Sequence, residues 1–125
     1  MGDNNMFFDI FKKKKSPPII RLLSKFKNIK KFESYKQLTQ GLLKYSRYTI
    51  PKDTAFLFKF EESDILFFHT INMKINIDIY FFDSNGDLVN KVLNCEPGMR
   101  DISSMKPAKY AVEFLSGELK NEEEI

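Results

Sequence analysis

The 125 residues of this chain are enough for one domain with its own core, and 42% of them are hydrophobic. A single cysteine excludes a disulfide within the chain, and no apolar run reaches the roughly 20 residues that a membrane-spanning helix needs. The net charge of +3 is unevenly distributed, because a run of four lysines, Lys12-Lys13-Lys14-Lys15, lies near the start.

Composition divides the chain into a basic arm, a β-rich domain and an acidic tail. Residues 1–18 carry the lysine run and then Ser16-Pro17-Pro18, a pattern typical of a flexible arm that ends in a stiff linker. Residues 19–118 form the predicted single domain, and residues 119–125 form the acidic tail. Because the apolar residues of the arm precede its lysines, the reverse of a signal peptide, we expect a cytoplasmic protein.

The first part of the domain carries helical signals. Residues 19–23 are compatible with one helical turn, and residues 26–32 alternate loosely enough to form a first strand. Ser34 and Gln37 have the spacing of a capping box, which predicts a helix that begins at Ser34 and ends near Leu43.

After residue 54 the hydrophobic period changes to that of β-strands. Strands are predicted at residues 55–60, 65–69, 75–82, 88–93 and 110–114. Asn85-Gly86 is a typical hairpin turn. In the last strand Val112 is expected to face the core, and Glu113 to point the other way as a structural polar residue. The pattern indicates a mainly β fold: a small barrel-like, strongly curved antiparallel sheet with one short helix near the start.

No motif for a metal, a cofactor or a catalytic triad is present in the sequence. Residues 83–87 resemble the opening of a calcium loop, but the position that requires glycine is Leu88. His69 and Cys95, the only histidine and cysteine, are too few for a zinc site and lack a nucleophile motif. We interpret Cys95 as a buried apolar residue and expect no cofactor, no metal and no catalytic residue.

The candidate pocket consists of five polar residues: His69, Thr70, Asn72, Asp78 and Arg100. Asp78 interrupts an apolar strand, where an unpaired charge costs free energy. One interpretation is an internal clamp, in which loop amides or Arg100 hold the Asp78 carboxylate. The other is a polar pocket for a small polar or anionic ligand, in which His69 changes charge near neutral pH.

Three functions follow from these patterns. The leading hypothesis is a non-catalytic binding or accessory module with a small polar pocket. The second is a hydrolase or isomerase that uses His69 and Asp78 as acid and base. The third is weak contact with nucleic acid or an anionic membrane surface through residues 12–15 of the arm.

The order of the motifs resembles the domain-of-unknown-function family 192, a set of small bacterial and archaeal proteins. The family's helix-ending Gly-Leu-Met is similar to Gly41-Leu42-Leu43. Its central signature, His-Thr-x-x-Met-basic-x-x-Ile-Asp, is similar to residues 69–78, its Phe-x-Asp-x-x-Gly hairpin to 81–86, and its Tyr-x-x-Glu strand to 110–117. The resemblance implies a compact, mainly β barrel-like domain with a short helix, and it brings no settled activity, substrate or cofactor.

Overall fold

A computed structural model of the chain describes residues 16–120. Most of the predicted arm, with its lysine run, and most of the acidic tail lie outside the described residues. The elements within residues 16–120 are α1 (Pro18–Leu23), β1 (Asn28–Phe32), α2 (Tyr35–Gln40), β2 (Thr54–Phe68), β3 (Ile77–Phe82), β4 (Leu88–Cys95) and β5 (Ile102–Leu115). No helix in this range has the length and apolar character to cross a membrane.

The strands form one sheet in the order β1-β2-β5-β3-β4. Every neighbouring pair is antiparallel except β1 and β2, which run parallel. The parallel pair follows from the long connection between the two strands, which contains α2 and returns the chain to the same end of the sheet. The prediction of a mainly β fold with a strongly curved sheet is confirmed, and the sheet stays open rather than closing into a barrel.

β2 is one strand of 15 residues where the sequence pattern predicts two. Its pairing with β5 shifts register between Lys59 and Asp64 and again between Ile65 and Phe67. Irregularities of this kind bend a strand and increase its twist. The exposed polar residues 61–64, which interrupt the alternation in the sequence, therefore mark a bend and not the end of a strand.

Both faces of the sheet are covered. One face, which includes Phe56 and Ile79, packs beneath α2 and the turn that follows it. The other face, which includes Tyr80 and Phe114, packs beneath α1. Glu113 does point away from the face of Phe114, as predicted, but the face that it enters is buried as well.

The capping box at the start of α2 is present as predicted. Ser34 Oγ accepts a hydrogen bond from the Gln37 N–H at 3.2 Å, and Gln37 Oε1 accepts one from the Ser34 N–H at 3.3 Å. The helix ends at Gln40, earlier than predicted, because Gly41 adopts a φ of +52° that other residues rarely take. This early stop turns the chain toward Phe58, whose ring would lie 3.9 Å from a Cβ at position 41.

The hairpin between β3 and β4 holds α1 against the sheet. The Ile19 N–H donates to the Gly86 carbonyl oxygen at 3.0 Å. Gly86 has a φ of +84°, and a Cβ built there would lie 2.8 Å from Ile19 Cγ2 and 2.9 Å from Pro17 Cβ. Only glycine satisfies both the turn conformation and the close approach of α1.

Gly86→Ala is therefore expected to destabilise the protein by about 2–4 kcal/mol, through backbone strain and displacement of α1. Gly98→Ala is the matched control, because Gly98 has a φ of +90° but no atom within 4 Å of the added Cβ. We expect the control to lose only the strain, about 1 kcal/mol. Urea denaturation measures both, and equal losses would contradict the proposed packing role of Gly86.

Candidate functional site

A cavity of about 490 Å³ lies between the curved sheet and the segment formed by α2 and its following turn. We call it the aromatic cavity. Its apolar walls come from that segment, from β2 and from the chain after β2, and they comprise Leu38, Leu42, Leu43, Phe58, Phe60, Phe67, Phe68 and Met73. A concave, mostly apolar space of this size is typical of small-molecule binding sites.

Glu113 supplies the only carboxyl group among the residues that line the aromatic cavity in the described part of the chain. It lies on β5 between Phe56 of β2 and Ile79 of β3, and its residue surface is 6% exposed. Within residues 16–120 its side chain forms no hydrogen bond and no ion pair. A buried polar group without a protein partner is rare and calls for a physical explanation.

Burial raises the pKa of Glu113 from 4.5 to about 8. The cause is desolvation, which disfavours the charged carboxylate. At neutral pH the side chain is therefore mostly a neutral carboxylic acid, which both donates and accepts hydrogen bonds. Perturbed carboxyl groups inside concave sites are markers of function.

His69 is the only one of the five predicted pocket residues that lines the aromatic cavity in the described structure. It is exposed, and its Nδ1 accepts a hydrogen bond from the Ile71 N–H at 3.2 Å. This local bond fixes the ring close to the chain that leaves β2. His69 and Glu113 therefore belong to the same cavity.

Thr70 is fully buried and fastens the loop that joins β4 to β5. Its Oγ1 donates to the Glu96 carbonyl oxygen at 2.5 Å and accepts from the Met99 N–H at 2.9 Å. The backbone N–H of Thr70 also donates to the Met99 carbonyl oxygen at 2.9 Å. The Thr70 hydroxyl thus both donates and accepts within the protein, and a ligand-binding role for Thr70 stays a prediction.

Asp78 is buried and has the geometry of the clamp interpretation. Its Oδ1 accepts hydrogen bonds from the Asn94 N–H at 2.7 Å and from the Ser116 hydroxyl at 2.8 Å. These partners take the place that the sequence suggested for Arg100, which is exposed, as is Asn72. Asp78, Asn72 and Arg100 do not line the aromatic cavity. A ligand-binding role for them stays a prediction.

Cys95 is a free cysteine, buried at the end of β4. Within residues 16–120 no group of three or more His, Cys, Asp or Glu side chains is arranged to hold a metal ion. Burial, together with the nearby carboxyl groups of Glu113 and Asp78, raises the pKa of the Cys95 thiol to about 11. The thiol therefore stays protonated and unreactive at physiological pH.

The sequence contained a signal for Glu113 that the strand pattern obscured. Its neighbours two positions away, Ala111 and Leu115, are apolar, so Glu113 interrupts an apolar face in the same way as Asp78. The aromatic residues of the cavity wall carried no such signal, because alternating phenylalanines are equally typical of a closed core. The cavity next to these phenylalanines depends on the position of α2, which the sequence does not show.

The profile of the domain-of-unknown-function family 192, described as an uncharacterized ACR, matches residues 24–123. The chain belongs to this family. The resemblance of its motifs to family 192 is thereby confirmed, and it extends over most of the chain. No curated protein matches this member of the family.

Two solved structures share the fold of this family 192 protein. One, from Sinorhizobium meliloti 1021 and provisionally described as a transcription regulator, has a TM-score of 0.64 and 26% identity over 71% of this chain and 68% of its own. The other, a protein of unknown function from Novosphingobium aromaticivorans DSM 12444, has a TM-score of 0.64 and 19% identity over 74% of this chain and 64% of its own. At 19% identity the second likeness shows the fold alone, and this chain spans slightly less than two thirds of that protein.

Glu113→Gln is expected to remove a pH-dependent loss of stability. The unfolded carboxyl group ionises near pH 4.5 and the folded one near pH 8, so the free energy of unfolding of the wild type falls as pH rises between these values. The slope approaches about 1.4 kcal/mol per pH unit. The stability difference between variant and wild type should therefore grow in favour of the variant up to pH 8 and then level off.

Urea denaturation at several pH values measures this difference. Glu62→Gln, at an exposed position on the bend of β2, is the control for the loss of one charge. A difference between Glu113→Gln and wild type that stays constant from pH 4.5 to 8 would contradict the raised pKa of Glu113.

Asp78→Ala is expected to cost about 1–3 kcal/mol of stability, because the Asn94 N–H and the Ser116 hydroxyl lose their acceptor. Ser116→Ala removes one of the two bonds and should cost about 1 kcal/mol. The stability loss of the double variant should be no larger than the sum of the two single losses, because both substitutions remove the same Ser116–Asp78 hydrogen bond. An unchanged denaturation midpoint for Asp78→Ala would rule out the clamp.

Proposed function

We propose that this protein is a non-catalytic binding module whose aromatic cavity takes a small, largely apolar molecule that carries a hydrogen-bonding group. The observation that carries the proposal is the buried Glu113 carboxyl, which has no partner among the described residues and lines an apolar cavity. A polar group in this state costs free energy, and a ligand that hydrogen-bonds to it removes that cost.

The magnitudes show why the polar group matters. Burying about 300 Å² of apolar ligand surface contributes about 7.5 kcal/mol at about 25 cal/mol per Å². Loss of translational and rotational freedom costs at least about 4 kcal/mol, which leaves only about 3.5 kcal/mol and a millimolar dissociation constant. A hydrogen bond to Glu113 that adds about 2 kcal/mol brings the dissociation constant to about 0.1 mM. Glu113 therefore selects among apolar ligands.

The hydrolase or isomerase alternative draws support from one observation: His69 and Glu113 line the same cavity. The acid–base pair predicted from the sequence was His69 with Asp78, and both hydrogen bonds of Asp78 Oδ1 go to protein groups away from that cavity. Catalysis stays the second hypothesis. Attachment to nucleic acid or to a membrane rests on Lys12-Lys13-Lys14-Lys15, which lie outside the described residues. Of these two, only nucleic-acid binding agrees with the description of one structural neighbour as a transcription regulator.

The proposal is tested with 4-(1-naphthyl)butanamide, an uncharged probe with an apolar body and a hydrogen-bonding head. Isothermal titration calorimetry on the full chain should give a dissociation constant of about 0.1 mM. Thr39→Trp places a large ring at an exposed position that lines the cavity and should weaken binding about tenfold or more. Lys36→Trp, exposed on the same helix but outside the lining, should leave binding unchanged.

Glu113→Leu should change stability and probe affinity in opposite directions. Removing an unpaired buried carboxyl should raise the denaturation midpoint, while loss of the hydrogen bond should weaken binding of the amide probe. A purely structural residue would not lower affinity while raising stability. The absence of probe binding at millimolar concentration, or equal binding by Thr39→Trp and Lys36→Trp, would overturn the proposed function.

A further inference from the structure

A second cavity, of about 420 Å³, adjoins the aromatic cavity. The two cavities meet at the end of α2, where Gln40, Gly41 and Leu43 line both. The second cavity differs in its chemistry: Lys30 and Lys44 contribute two cations, and no residue in its described lining carries a carboxylate. A ligand that extends from the aromatic cavity past these three residues would approach two positive charges.

The two lysines converge on one aromatic ring. Lys30 Nζ donates a hydrogen bond to the Tyr45 hydroxyl at 3.0 Å and lies 5.7 Å from the ring centroid. Lys44 Nζ lies 5.1 Å from the same centroid. Tyr45 is buried, so packing restrains the ring that both ammonium groups contact. Within residues 16–120 neither lysine forms an ion pair.

The electrostatics at this point favour negative charge. Burial raises the pKa of the Tyr45 phenol, but Lys30 and Lys44 outweigh it, and the net pKa is lowered. The same field favours any anion placed between the lysines. Gln37 lines this cavity too, and because its Oε1 is occupied by the capping box, its amide NH₂ is left as a donor.

We infer that Lys30 and Lys44 bind the anionic head group of the ligand whose apolar body occupies the aromatic cavity. The ligand class is then an apolar molecule with two polar groups, a hydrogen-bonding group that reaches Glu113 and a terminal carboxylate or phosphate-like group. Both lysines are exposed and their ammonium groups lie near the same Tyr45 ring, so an anion bound there interacts with two positive charges that water partly screens. This inference rests on the proposed binding function. Glu113 does not oppose it below pH 8, where its side chain is mostly uncharged.

The test compares three probes that share one apolar body with a hydroxyl group for Glu113: 4-(6-hydroxy-1-naphthyl)butyrate, its primary amide and the corresponding phosphonate. Titration calorimetry at pH 6.5 on the full chain should show that at least one of the two acids binds about fivefold or more tightly than the amide. The stronger of the two acids identifies the head group as carboxylate or phosphate-like. Lys30→Gln and Lys44→Gln should each reduce the preference, and the double variant should abolish it.

Lys36→Gln is the matched control, since Lys36 is an exposed lysine on α2 that lines neither cavity. It should keep the full preference for the acid. An unchanged affinity of the double variant for the amide shows that the aromatic cavity is intact. Amide binding without a preference for either acid, or a preference that survives in the double variant, overturns this inference alone. Failure of all three probes to bind overturns the proposed function together with it.

Discussion

The central constraint in this protein is the position of β5 between β2 and β3 in a sheet that is covered on both faces. Residues 111–114 of β5 are buried whichever face their side chains enter. Glu113 is one of these residues. Its side chain lines the aromatic cavity and has no hydrogen-bond partner among the described residues. An apolar side chain would be more stable there, so the carboxyl is a cost that binding of a ligand would offset.

The buried polar side chains of the domain differ in whether they have hydrogen-bond partners within the protein. Thr70 and Asp78 are buried with donors and acceptors arranged around them, and each holds a chain segment next to β4. Glu113 is buried to a similar degree without such partners. The hydrogen bonds of Thr70 and Asp78 rigidify the loops, whereas the carboxyl group of Glu113 can still form hydrogen bonds with a ligand.

The space above Glu113 exists because α2 is short. Gly41 ends the helix after six residues and turns the chain onto Phe58, which leaves open volume on both sides of that turn. One side is aromatic and the other carries Lys30 and Lys44. Family membership and the two structural neighbours establish the fold, but function has to be argued from this site, since one fold hosts many unrelated activities.

The sequence by itself determined the features that depend on neighbouring residues: the Ser34–Gln37 capping box, the Asn85-Gly86 hairpin and the alternating strands. It also identified Asp78 as a buried polar group. The tertiary structure alone decided that β2 bends without breaking, that β1 runs parallel to it, and that Glu113 faces a cavity. These outcomes depend on residues such as Phe56 and Glu113, which are far apart in the chain and become neighbours only when the sheet and α2 assemble. A local pattern indicates which face of a strand is apolar, but it does not record how completely that face will be covered.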